Sequence, residues 1–280
     1  MPEAIIEPDL PIIDPHHHLW DRRPVMHLIP PPVHGFDHIS YRKGHYLLDQ
    51  LLEDTGSGHN IVATVYLECR SMYRAGGPDE MKPVGETEFV NGVAAMAASG
   101  LYGKTLACAG IVSTAELLLG AEVGRVLDAH AAAGGARFKG IRRSTSYDAD
   151  PDVLGPLNRN PAGVLMEPKF REGFAELGKR GLSFDAWMLE PQLPELIDLA
   201  RQFPDTPIVL DHVGTPLGAG SYKGKLPERF GVWRKNIREL AKSPNVHVKL
   251  GGLAMPFCNF PSMLSEPRAS SEQLAKEWRP

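Results

Sequence analysis

The chain has 280 residues, 42% hydrophobic and 23% charged, which suits one globular domain with a sizeable core and lies within the usual range for an α/β barrel. Lys plus Arg number 30 against 34 Asp plus Glu, a formal net charge of -4, so no strong positive field draws nucleic acid or an anionic membrane surface. Three cysteines (Cys69, Cys108, Cys258) lie far apart without C-x-x-C spacing, residues 1–11 lack a basic-then-apolar leader, and no apolar run reaches about 18 residues, so a cytoplasmic protein that does not span a membrane is expected.

Short, apolar, β-rich runs alternate with stretches of helical period. In chain order, strands are expected at 10–13, 61–67, 105–112, 137–142, 182–188, 207–210 and 245–250. Between them the periodicity predicts helices at 86–99, 115–133, 169–180, 192–203 and 229–242. Gly100, Gly134 and Gly181 follow three of these, where a helix end commonly takes a left-handed residue. Regular alternation with no Gly-rich phosphate loop after the first strand favours parallel strands in a (β/α)8 TIM-barrel type fold over a doubly wound open sheet. The whole of 1–280 reads as one such domain, C-terminally incomplete: a helix start at Ser270, Ser271 and Glu272 is followed by Pro280, and an eighth strand and last helix are missing. The connections 19–46, with His27, His34, His38 and His45, and 144–168 are long enough to be functional loops over the barrel mouth.

Two segments carry chemistry. In Ile12-Ile13-Asp14-Pro15-His16-His17-His18, strand alternation turns His16 and His18 to one face and His17 to the other, so two imidazoles arrive together at the end of the first strand. Neutral imidazoles are good ligands for zinc or a similar divalent ion. In Ile208-Val209-Leu210-Asp211-His212-Val213-Gly214-Thr215-Pro216, a buried strand ends abruptly in ionisable groups. His212 is a candidate third ligand, and Asp211 is placed to orient a histidine or tune the site.

With four further segments these resemble the second amidohydrolase family, TIM-barrel metal-dependent hydrolases that include pyrone-dicarboxylate, sulfomuconolactone and sugar-lactone hydrolases. The additional segments are V-Y-L-E-C at Val65 to Cys69, K-G-I-R-R at Lys139 to Arg143, L-S-F-D-A-W at Leu182 to Trp187 and V-K-L-G-G-L at Val248 to Leu253. The resemblance runs over nearly the whole chain. It implies a site where His16, His18 and His212 surround a divalent metal, zinc by preference, although some lactonases of the family work without one. Water, its pKa lowered on the metal, would attack an ester or amide carbonyl. The family takes an acidic residue from strand eight as ligand or base, and this sequence stops before it; Asp185, Glu68 and Asp211, each near the end of a predicted strand, are the substitutes. Only one of Arg142 and Arg143 can face inward, and the family pattern favours Arg142 as an anchor for a substrate carboxylate. Trp187 and Tyr147 are candidates to line the pocket, and Lys249 either contacts substrate or pairs with Glu68.

The leading expectation is therefore hydrolysis of a small, carboxylated cyclic ester. Non-oxidative decarboxylation on a similar site is the alternative, and a truncated, non-catalytic binding protein is a third reading, because a missing strand leaves two sheet edges open. The expected partner is a small-molecule substrate; a homodimer is compatible with the family and with the open edges.

Overall fold

The computed structural model describes residues 3–41 and 43–279; Met1, Pro2, Arg42 and Pro280, which fall within the domain expected from sequence, lie outside the described residues. Strand β1 (Ile12–His17) comes first, and a small antiparallel ribbon, β2 (Trp20–Asp21) with β3 (His45–Tyr46), sits in the connection after it. Then follow β4 (Ile61–Leu67), β5 (Leu106–Ser113), β6 (Phe138–Arg142), β7 (Ser183–Ala186), β8 (Ile208–Leu210) and β9 (Val246–Val248). The seven long-range strands form one sheet in the order β1-β4-β5-β6-β7-β8-β9, every neighbouring pair parallel. That order never reverses, as in the wall of a (β/α) barrel and unlike a doubly wound sheet. Among the described residues β1 and β9 are edges, so the curled sheet is not closed.

The helices are α1 (Gly35–Tyr41), α2 (Leu48–Thr55), α3 (Val84–Ala98), α4 (Val123–Gly134), α5 (Pro151–Leu154), α6 (Pro168–Lys179), α7 (Leu193–Gln202), α8 (Leu226–Leu240) and α9 (Ser271–Trp278). Their apolar residues recur at helical spacing. In α6, Phe170, Phe174 and Leu177 are buried, and in α7, Leu193, Leu196, Ile197 and Ala200. These stripes pack on the outer face of β6, β7 and β8 through Ile141, Phe184, Ile208 and Leu210, in one continuous cluster. A second cluster joins Leu48 and Leu51 of α2 and Val90, Val93 and Ala94 of α3 to Tyr66 and Ile111. Each fully buried Phe or Leu contributes on the order of 2 kcal/mol of transfer free energy, so this layer fixes the strand ends that carry the chemistry.

Several boundaries differ from the sequence expectation for physical reasons. The first strand continues beyond 13 to His17, because β1 is an edge strand and Pro15, exposed on it, costs the sheet no needed hydrogen bond. The single helix expected at 115–133 is broken: Leu117–Glu122 is a 3-10 segment with Gly120 at φ 63, and α4 starts only at Val123. Gly134 remains helical and Gly135, at φ 55, is the residue that turns the chain. The connection 19–46 holds β2, β3, α1 and a 3-10 turn at Arg23–Leu28, structure that its polar, Pro-rich composition concealed.

Candidate active site

Alternation along β1 holds. The His17 ring lies in the outer layer, with Nε2 2.9 Å from Thr64 Oγ1, while His16 and His18 share the other face with ring centroids 5.0 Å apart. Asp14 Oδ1 accepts the backbone N–H of His16 at 3.0 Å and so fixes the strand just ahead of the ring. His18 Nδ1 is 2.8 Å from the carbonyl oxygen of Leu67, which only accepts, so Nδ1 carries the proton and Nε2 is left as the basic nitrogen.

At the end of β8 the chain turns through left-handed backbone at His212 (φ 56), Val213 (φ 50), Gly214 (φ 75) and Thr215 (φ 46). For β-branched Val213 and Thr215 this is strained, on the order of 1–3 kcal/mol each, and it persists only where neighbours over-determine it. Trp233 Nε1 donates to the carbonyl of Val213 at 2.7 Å, and Val213 N donates to the carbonyl of Lys249 at 3.2 Å. The effect is to turn His212 to the same rim as His16, with ring centroids 4.6 Å apart.

Around these rings runs a chain of alternating charges drawn from five strand ends. Lys249 Nζ lies 2.5 Å from Asp185 Oδ1 and 3.0 Å from Asp211 Oδ1. On its other side Asp211 Oδ2 is 3.5 Å from Arg142 Nη1, and Arg142 Nε bonds Glu68 Oε1 at 3.0 Å while Nη2 bonds the Glu68 carbonyl at 2.5 Å. His16 sits inside, with Nε2 3.3 Å from Arg142 Nη1 and Nδ1 3.3 Å from Lys249 Nζ. Three carboxylates thus face two fixed cations.

Burial drives the His16 imidazole down to about 3 against the pull of Asp211, and drives His212 down to about 4, so both rings are neutral at physiological pH. Burial pushes the Asp211 carboxyl upward, but His16, Arg142 and Lys249 together outweigh it and hold the group below its ordinary range. Asp185 shifts the opposite way: burial raises it and the neighbouring Asp211 charge adds to the rise, against the pull of Lys249 and, more weakly, of Arg142. The two carboxyls share one ammonium and are set apart by their surroundings.

A divalent cation fits the donors present. One ligand atom each from His16, Asp211 and His212 lies within 4.8 Å of the others, the two imidazoles are neutral, and both oxygens of fully buried Asp211 lack a directed hydrogen bond. The set expected from sequence was His16, His18 and His212. His18 is beside His16 but tied to Leu67 and outside the convergent group, and Asp211 stands in it directly instead of acting through a histidine.

The other expected residues divide. Glu68, Asp185, Asp211, Arg142 and Lys249 all meet in the charged network, and Lys249, for which substrate contact or pairing with Glu68 was expected, pairs with Asp185 and Asp211. Arg143 turns away to Glu116 and Asn160. Trp187 packs against Phe257, ring centroids 6.3 Å apart, and Tyr147 donates its backbone N–H to Gln192 Oε1; no hydrogen bond joins either to the network. Two contributors escaped the sequence. Gly252 (φ 77) gives the His212 ring its space, and Glu86, on α3, accepts from Cys69 N, Ser71 N and Tyr66 Oη at 3.0, 2.8 and 2.8 Å, holding the loop that follows Glu68. The tandem glycines at 251 and 252 were a signal for the first; a lone acid in a helix's first turn offered none for the second.

Residues 13–275 match the protein family described as amidohydrolase. Uncharacterized protein y4mH of Sinorhizobium fredii is 34% identical over 264 residues, 92% of this chain and 78% of its own length. L-fucono-1,5-lactonase of Burkholderia ambifaria is 33% identical over 117 residues, covering 42% of this chain and 34% of that protein. Among solved structures, an amidohydrolase from Burkholderia multivorans with bound HEPES superimposes with a TM-score of 0.60 at 23% identity, over 86% of this chain and 70% of that one. A second crystal form of it, with bound zinc, gives 0.59 at 24% identity over the same shares of the two chains. These likenesses establish the (β/α) fold. No helix among the described residues is long and apolar enough to cross a membrane.

Proposed function

The chain belongs to the amidohydrolase family, and on that premise we propose that it hydrolyses a small cyclic ester, a carboxylated or sugar-derived lactone, by attack of an activated water. The observation that carries this reading is the convergence of His16, Asp211 and His212 at the ends of β1 and β8, their donor atoms within 4.8 Å of one another. Catalytic groups in parallel barrels gather at that rim. The lactone class draws support from the L-fucono-1,5-lactonase, similar to 42% of this chain.

His16, Asp211 and His212 would hold a divalent ion, zinc by preference, which when bound polarises a carbonyl and lowers the pKa of water. The remaining steps belong to the chain's own groups. Asp185, more basic than an ordinary carboxylate because it is buried beside Asp211, takes the proton of the attacking water as its oxygen bonds to the carbonyl carbon. Lys249, 2.5 Å from Asp185, places positive charge beside the carbonyl oxygen as it becomes anionic. When the ring C–O bond breaks, the proton held on Asp185 passes to the leaving alkoxide, and a hydroxy acid is released. Glu68 fixes the Arg142 guanidinium through two bonds, and Nη1, which lies against Asp211 and His16, is the nitrogen that a substrate carboxylate would share. Trp187 and Tyr147, on the loops beyond β7 and β6, would border the ring.

Proton release from a panel of aldonolactones and carboxylated lactones, run with and without chelator, tests the proposal. Turnover of at least one member supports it, and a folded protein idle on all of them under both conditions rejects it.

A further inference from the structure

Lys249 makes the same contacts that a metal ion would need. Its Nζ lies 3.0 Å from Asp211 Oδ1 and 3.3 Å from His16 Nδ1, two of the three convergent donors, and 2.5 Å from Asp185 Oδ1. The side chain is one-tenth exposed and the two carboxylates it joins are almost fully buried, so water screens the ammonium little. Backbone bonds hold it there: Lys249 N donates to the carbonyl of Leu210 at 3.0 Å, and its own carbonyl accepts Val213 N at 3.2 Å, clamping the residue to both sides of the turn that carries Asp211 and His212.

We propose that Lys249 is the resident cation of this site, competing with divalent metal for Asp211 and His16 and setting how tightly metal is held. This builds on the ligand set named in the proposed function but concerns metal affinity, not turnover. A divalent ion entering among these donors meets a fixed positive charge at contact range, and close like charges in a buried site repel strongly. With Lys249 neutralised, Asp211 keeps Arg142 as a counter-charge and is freed of the competing ammonium. Arg142 does not compete in the same way, because two of its three nitrogens are engaged by Glu68.

The test is zinc affinity of the purified full chain, by equilibrium dialysis with metal analysis, for wild type, Lys249→Gln and Lys249→Arg, each checked for folding by circular dichroism. The glutamine amide can still donate to Asp185 but carries no charge, and arginine keeps the charge. Lys249→Gln is expected to bind zinc at least about tenfold more tightly than wild type, with Lys249→Arg no tighter than wild type. The added affinity should vanish when His16→Asn is combined with Lys249→Gln. Should Lys249→Gln fail to fold, Lys249→Gln with Asp185→Asn removes cation and unpaired carboxylate together and carries the same expectation. Unchanged or weaker zinc binding in the neutral variants overturns the proposal. Because no substrate is involved, a gain in zinc affinity stands even if no lactone is hydrolysed, and lactone hydrolysis stands even if zinc affinity does not move.

Discussion

Gly252 and His212 approach so closely that a Cβ built on the glycine would come within 2.4 Å of Cγ and Nδ1 of the imidazole. Gly252 also sits at φ 77, a conformation an L side chain adopts only with strain. Gly252→Ala must therefore push the ring from the rim it shares with His16. A displacement of about 1 Å at a reacting centre can cost on the order of a hundredfold in rate, so kcat should fall by about that factor while circular dichroism is unchanged. Retained kcat in Gly252→Ala would show that the position of His212 does not matter.

The turn carrying Asp211 and His212 is held by the indole of Trp233, which donates to the Val213 carbonyl. Trp233→Phe keeps the ring and strands that acceptor. A stability loss of about 1–2 kcal/mol is expected in urea unfolding, with a larger proportional loss in kcat/KM, because the turn is strained and relaxes without its tether. Equal activity at reduced stability would make Trp233 a packing residue only.

Arg142 is nearly fully buried between Glu68, Asp211 and His16. Arg142→Met leaves buried carboxylates without their counter-charge and should cost about 3–5 kcal/mol in chemical denaturation. Arg142→Lys keeps a charge but cannot bond the Glu68 carboxylate and carbonyl together in one plane, so it should recover only part of that loss. Full recovery by lysine would mean that charge alone, and not the fork, is what the site uses.

Glu86 gives a pH signature outside the charged network. Burial raises its carboxyl to about 7 despite three donors on Oε1, leaving Oε2 without a partner. A carboxyl raised in the folded state holds its proton better folded than unfolded, so its contribution is fully present below the unfolded value of 4.5 and is lost as pH rises through about 7. The span is on the order of 3 kcal/mol. Melting temperature should fall between pH 5 and 8 in wild type, on the scale set by that shift, and Glu86→Gln should flatten the fall. A profile that is identical in the two proteins would contradict the assignment.

The strand–helix rhythm was legible because buried parallel strands are short apolar runs and their covering helices keep a 3.6-residue period; Ile61–Leu67 and Leu193–Gln202 illustrate both. His16 and His18 were legible from alternation alone, since a period of two leaves no choice of face. The turn that brings His212 beside Asp211 was not, because it uses left-handed backbone at Val213 and Thr215, which those residue types argue against. The partner of Lys249 was equally hidden: which carboxylate an ammonium meets depends on how the strands curl, a long-range property that local pattern does not encode. The packing of Trp187 on Phe257, from a distant loop, was hidden for the same reason.

The central claim is that His16 and His212 serve one reaction centre, and a double-mutant cycle on lactone hydrolysis tests it most directly. His16→Asn and His212→Asn should each lower kcat/KM by about a thousandfold or more, and the double variant should lose little beyond either single, as groups acting as a unit do. Losses that multiply in the double variant, or single variants that hydrolyse as fast as wild type, would contradict a shared centre.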